Sequence, residues 1–430
     1  MTQNSAPDLP LEPSSKSHLW KALGPGILVA CAAVGGSHLV WSTRAGAEYG
    51  WSLVWLILLA NLLKYPFFLY GQRYTAATGE SLLAGYHRHG VIFVWIFLTF
   101  NVLTGTINIA GVAMLSAALL QGYGLTFIPI GSLTISVMAI CAMLLLFGQY
   151  KFLDGIAKLI IISLSLITLV AVLVAIPSRP AIPTDFVPAS PYTLASFAFL
   201  ISLLGWMPAP LDLSAWSSLW IFSRQEQTGH RATVKETSID FYIGYISAVV
   251  LAVLFVALGA LVMFGTGETF SSSGIGFTNQ LVSLYTDTIG DWSRLLIVSA
   301  GFITMFSTTL TCIDGYPRSL AACCMLIGKM PAQRFKQIHI FWIILTVLMS
   351  TMVILFFVKS LLQLLAFAAV VSFMTSPVLA IINYKVMNGS NVPEADRPGL
   401  LLKLLSGLGI LFFGLMAMGY LYTTFIHVPS

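Results

Sequence analysis

Two short runs interrupt otherwise apolar segments at points where backbone groups and polar side chains could hold an ion. In the first, Gly35-Gly36-Ser37-His38 divides apolar sequence that enters from Leu23 and leaves through Leu39, Val40 and Trp41. Consecutive glycines weaken a helix, and unwound backbone at membrane depth is tolerated only where it is buried in protein or lines a cavity. In the second, Met207-Pro208-Ala209-Pro210 breaks another apolar stretch. Such paired interruptions in the two halves of a chain point to the substrate site of a secondary transporter. The chemistry on offer is hydrogen bonding and proton exchange. His38 can donate a hydrogen bond or take a proton near neutral pH, Ser37 adds a hydroxyl, and Gly35-Gly36 allows close approach of a small ligand.

Other ionisable residues extend this set. Lys64 falls inside an apolar stretch, where a cation is a functional candidate by default, although Pro66 and Arg73 follow and the side chain could instead snorkel to the interface. Asp212, just past the second interruption, suits the capping turn of the helix that resumes there, or a proton relay with His38. Asp154 with Lys158 and Asp314 with Arg318 have i,i+4 spacing and read as structural pairs or a gate. Met207 suits either packing or binding, and Trp206, Trp216 and Trp220 either a permeation path or interfacial anchors.

The elements that must position these residues are membrane helices. With 57% hydrophobic and 9% charged residues and a mean hydropathy of +0.89, the chain is not a soluble globular protein. Eleven stretches are long enough to span, near 22–43, 50–72, 92–121, 127–149, 152–177, 193–221, 241–265, 292–327, 338–358, 361–385 and 401–426. With the N-terminus placed in the cytoplasm, sixteen Lys and Arg fall inside and four outside, namely Arg44, Arg179, Arg294 and Lys359. The long outer loop Gly267 to Asp291 then holds acids but no Lys or Arg. Residues 1–17 read as a polar cytoplasmic tail, not a signal peptide, 18–385 as the transmembrane core, and 386–430 as a linker with an eleventh helix. The five cysteines all lie in apolar segments with no metal-ligand spacing, and no phosphate-binding loop is present.

Several motifs carry a resemblance. Gly24-Pro25-Gly26, Ala45-Gly46-Ala47-Glu48-Tyr49-Gly50, Ala77-Thr78-Gly79-Glu80, Met207-Pro208 and Ser217-Ser218-Leu219 resemble the Nramp family of proton-coupled divalent-metal transporters. The resemblance implies an all-α LeuT-type fold of eleven transmembrane helices, with two inverted five-helix repeats and broken helices 1 and 6 around a central site. It also exposes departures. The family's Asp-Pro-Gly-Asn motif, whose Asp and Asn ligate metal, matches Gly35, Gly36, Ser37 and His38. Its Met-Pro-His becomes Met207-Pro208-Ala209, and its acidic positions in the third span match Asn108 and Gly111.

Without a carboxylate, a divalent cation is hard to dehydrate at the bilayer midplane. The outer half of helix 1 and the inner half of helix 6 both present N-termini to the centre, a positive field that favours an anion. The leading expectation is therefore a secondary transporter of a small inorganic anion, with bicarbonate the first candidate, coupled to H⁺ or Na⁺. Its substrate site would comprise Gly35, Gly36, Ser37, His38, Met207, Pro208 and Ala209, with His38, Asp212 and Lys64 serving coupling. The alternative is a proton-coupled divalent metal transporter, and a third reading is a sensor that has lost transport. No enzyme, cofactor, metal centre or nucleic-acid partner is expected. The partners expected are a small ion and the lipid bilayer of the cell (inner) membrane, with a monomer as the functional unit.

Overall fold

The computed structural model describes residues 19–177, 182–357 and 359–425, apart from the side chains of 148–162 and 288–289. The tail expected over 1–17 and the Asp154–Lys158 pair lie outside the described residues. Among the described residues the regular structure is all helical. Helix α1 (Pro25–Ala33) and α2 (Thr43–Tyr49) make the first span, joined by a π-helical stretch at Ser37–Ser42 and bent by 45°. Spans two and three are α3 (Val54–Thr78) and α5 (Val91–Gln121), with the short α4 (Leu82–His89) between them. The sixth span is again divided, into α7 (Leu194–Trp206) and α8 (Leu213–Thr228). Spans seven and eight are α9 (Val234–Val262) and α11 (Arg294–Ile327), and the last three are α12 (Phe335–Phe357), α13 (Leu361–Met387) and α14 (Leu400–Phe425).

Two parts differ from the sequence reading. The stretches 127–149 and 152–177 merge into one helix, α6 (Ile130–Ala175). At about 1.5 Å per residue it is roughly 69 Å long, about twice the depth of a ~30 Å hydrocarbon core. No proline falls within it and Pro177 stands just beyond, so local sequence gives the helix no stop. Conversely, the outer loop Gly267 to Asp291 contains α10 (Gly274–Ile289). Ser273 caps it, and Ser81 caps α4, each accepting from a backbone N–H three residues on. Both helices are too short or too polar to register as spans. Among the described residues, eight helices are long and apolar enough to cross a membrane and the bent first pair is a ninth. The shorter apolar helices Ser163–Ala175 and Leu194–Trp206 correspond to the other two of the eleven.

The first span is fixed to the seventh by main-chain contact. A Cβ on Gly26 would lie 2.2 Å from Asp240 O, and one on Gly244 2.0 Å from Gly26 O. Beyond the break the pattern repeats: Gly46 approaches Val256 O and Gly259 approaches Thr43 O, at 2.0 and 2.2 Å. Any side chain at these four positions would force α9 off the first span. The Asp240 carboxylate also accepts from Gly24 N at 2.9 Å and Gly26 N at 2.5 Å, satisfying the free amides at the start of α1, where Pro25 has none to offer. This accounts physically for Gly24-Pro25-Gly26.

Candidate functional site

Both breaks form where the sequence places them. Helix α1 ends at Ala33, and hydrogen bonding resumes with His38 N and Leu39 N on Gly35 O. Helix α7 ends at Trp206, and α8 begins after Asp212. The two breaks touch: a Cβ on Gly36 would lie 2.4 Å from Trp206 Cζ3. Gly35 faces the eighth span, its Cβ direction meeting Thr308 Cγ2 at 2.9 Å and Oγ1 at 3.0 Å. The position matching the family's metal-binding Asp is therefore no open vacancy. The Thr308 hydroxyl is directed at the end of α1, with Oγ1 3.0 Å from Cys31 O and 3.3 Å from Val34 O.

The remaining side chains of the first break are turned to protein partners. Ser37 Oγ donates to Ala33 O at 2.5 Å and lies 2.6 Å from His38 Nδ1. His38 is buried, and its Nε2 donates to Ala248 O of α9 at 2.8 Å. Phe255 lies edge-on to the ring. No hydrogen bond joins His38 to Asp212 among the described residues, so the expected His38–Asp212 relay is not formed directly.

Lys64 does not snorkel. It is fully buried, and its Nζ donates to Leu204 O, Gly205 O and Ala209 O at 2.7, 2.9 and 3.0 Å. These carbonyls belong to the last turn of α7 and the unwound segment after it, where no helical N–H is available to satisfy them. Met207 N closes back on Leu203 O, and Met207, Pro208 and Ala209 are all buried.

Asp212 stands at the head of α8, but its side chain makes no capping hydrogen bond. Its Oδ2 accepts from Thr104 Oγ1 of α5 at 3.0 Å, and the Tyr316 hydroxyl and the Leu213 N–H also lie against the carboxylate. Lys64 and Tyr316 are electrostatic neighbours of this carboxylate. One turn along α5, Asn108 Nδ2 donates to Tyr316 Oη at 2.5 Å and Ser372 Oγ at 3.0 Å. Trp206 Nε1 donates to Asn108 Oδ1 at 3.3 Å, and Asn101 Nδ2 to Ser319 Oγ at 2.5 Å. Asn101, Thr104 and Asn108 thus form one polar stripe on α5, facing α11 and the second break. Gly111, the other position matched to a family acid, faces Leu365.

This geometry does not support an anion site built from side chains. Ser37 and His38, expected in it, and the coupling candidate Lys64 are committed to protein acceptors. The positive end of α8 carries Asp212. Asp212 supplies a buried acidic group at the second break. No cluster of three or more His, Cys, Asp or Glu side chains forms among the described residues.

Toward its cytoplasmic end, as the sequence orients it, Arg318 forks onto Asp314 at 2.7 and 3.0 Å, and Trp220 Nε1 donates to the same carboxylate at 2.9 Å. His339 of α12 lies 3.8 Å away. The expected Asp314–Arg318 pair is thereby a buried junction of α8, α11 and α12. Trp220 serves that junction, and Trp216 packs on Tyr316 with ring centroids 4.4 Å apart.

Comparison with known proteins gives a consistent picture. The profile for natural resistance-associated macrophage protein-like proteins (Nramp) matches residues 26–423. An uncharacterized protein of Pasteurella multocida is 40% identical over 380 residues, covering 88% of this chain and 87% of its own. The divalent metal cation transporter MntH of Staphylococcus aureus is 24% identical over 337 residues, covering 76% of this chain and 72% of its own. The crystal structure of a manganese transporter from Eremococcus coleocola superposes with a TM-score of 0.65 at 15% identity, covering 98% of this chain and 91% of that one. The fold is the LeuT type, as the motifs imply.

Proposed function

This chain belongs to the Nramp family of membrane transporters, and on that premise we propose that it is a secondary transporter of a small divalent metal ion, the cargo named for its MntH relatives. The observation that carries the reading is Asp212, a buried carboxylate at the second break that neighbours Thr104, Tyr316 and Lys64. A divalent cation needs an anionic oxygen to offset its dehydration, and here that charge stands on the sixth span in place of the first. The Thr104 hydroxyl beside it is a further hard oxygen donor, which suits Mg²⁺ or Mn²⁺. His38, Asp212 and Lys64 are the candidates for coupling, and the excess of Lys and Arg supports a cytoplasmic N-terminus in a cell membrane. A negative-inside potential favours uptake of a doubly charged cation by about 4.6 kcal/mol per 100 mV, whereas it opposes bicarbonate by about 2.3.

The test is Mn²⁺ and Mg²⁺ uptake into proteoliposomes by the parent and by Asp212→Asn, beside bicarbonate uptake. The parent is expected to take up metal saturably, and the variant to lose that uptake by about 100-fold, as for removal of a buried charge partner. Metal uptake at the parent rate in Asp212→Asn, or saturable bicarbonate uptake by a parent that moves no metal, would overturn the assignment.

A further inference from the structure

We infer that the carbonyl oxygens of Leu204, Gly205 and Ala209 form a monovalent-cation site at the second break, and that the Lys64 ammonium is its tethered occupant in place of a free ion. The three oxygens come from both sides of the turn: two from the last turn of α7 and one from the unwound segment. A cation between them holds the chain in its bent path and offsets the negative end of the α7 dipole. The stoichiometry closes, since an ammonium has three N–H donors and each finds one carbonyl. No carboxylate approaches Lys64 within ion-pair distance among the described residues, so its first neighbours are backbone dipoles. Rings of backbone carbonyls that replace an ion's hydration shell are how membrane proteins hold monovalent cations.

Size points the same way. The oxygens stand 2.7 to 3.0 Å from the nitrogen, well beyond the ~2.0–2.1 Å demanded by Mg²⁺ and the ~2.3–2.6 Å of Ca²⁺. Lysine reaches the site from α3, a separate element, so the charge is supplied wherever the protein folds and no co-ion need be drawn from solution. The inference does not depend on which ion is carried, and it predicts that the parent works equally well in Na⁺, K⁺ or neither.

Lys64→Ala deletes the atoms of one propylamine. The purified variant is to be followed by thermal unfolding in detergent against n-propylammonium, K⁺, N-methylglucamine and n-propanol, with parallel uptake in liposomes. The variant is expected to unfold several degrees below the parent and to lose uptake by about tenfold, the usual scale for stranding buried carbonyls. Propylammonium should restore both saturably, K⁺ in part, and the bulky cation and the neutral alcohol not at all, while the parent responds to none of them. Absence of a saturable response to any small cation, or the same response in the parent, overturns the inference. If Lys64→Ala cannot be purified, Lys64→Arg and Lys64→Met decide: both fill the space, and equal stability of the two overturns it. Since the unfolding readout needs no metal, its failure is separable from failure of the substrate assignment.

Discussion

Gly36→Ala is a one-carbon change whose two effects oppose each other. The Gly36 backbone, at φ −57° and ψ −30°, is open to any L-residue. Removing glycine's freedom in the unfolded chain should therefore stabilise by about 0.4–1 kcal/mol. Against that, the new carbon would lie 2.4 Å from Trp206 Cζ3 and 3.0 Å from Cε3, where relaxed carbons sit at about 3.5–4.0 Å. The indole must withdraw by about 1 Å. Its bonds to Asn108 and Ser372, already 3.3 and 3.4 Å long, cannot survive that movement. Overpacking costs about 1–3 kcal/mol and the lost hydrogen bond about 1, so the net is a destabilisation of roughly 1–3 kcal/mol. Thermal unfolding in detergent and metal uptake in liposomes would both register it, uptake falling about tenfold or more as the two breaks are pushed apart. Adding Trp206→Phe shortens the ring and should restore stability relative to Gly36→Ala alone. A stabilised single variant, or a double variant no better than the single, would refute the claim that the breaks meet at this contact.

Two further outcomes follow from the same geometry. Asp314→Asn should lower stability by about 1–3 kcal/mol, read as lost folded protein in the membrane, because the part-buried Arg318 loses its carboxylate; pairing it with Arg318→Gln should recover a substantial part. His38→Ala should lower the unfolding temperature by removing the tie between the first break and Ala248 O, which keeps only its helical donor, and His38→Gln should recover stability without recovering the parent's pH dependence of uptake. An unchanged pH dependence in the Gln variant would remove His38 from coupling.

The breaks were legible because Gly35-Gly36 and Pro208 with Pro210 act on their own backbone, and local chemistry reads directly from local sequence. What the side chains do there was not, since every partner is remote in the chain. His38 looks free in sequence yet is held by Ala248, and Lys64 looks ambiguous until Leu204, Gly205 and Ala209 are brought around it. The anion expectation erred for this reason: it counted donors at the centre without knowing which were already engaged. One missed signal was present. Asn101, Thr104 and Asn108 recur at i, i+3 and i+7 in an apolar span, which marks a polar face. Asp240 carried no such pattern, and its role as acceptor for the amides of Gly24 and Gly26 appears only when α9 lies against α1.

The glycine contacts that fasten both halves of the first span to α9 make that helix a splint across a fracture. Gly244 and Gly259 grip on either side of the bend, main chain against main chain, with no side chains between them to absorb slippage. A swing of α1 about the Gly35-Gly36 joint must then carry the start of α9 along, or prise Gly24 and Gly26 from Asp240. The sixth span is tied differently: α7 meets α13 at Gly205 and α8 meets α3 at Gly71, and polar ties cross the joint, from Lys64 of α3 to Leu204, Gly205 and Ala209 and from Asn383 of α13 to Ser214. Its joint is held by hydrogen bonds that can be exchanged, where the first is held by backbone contact that cannot.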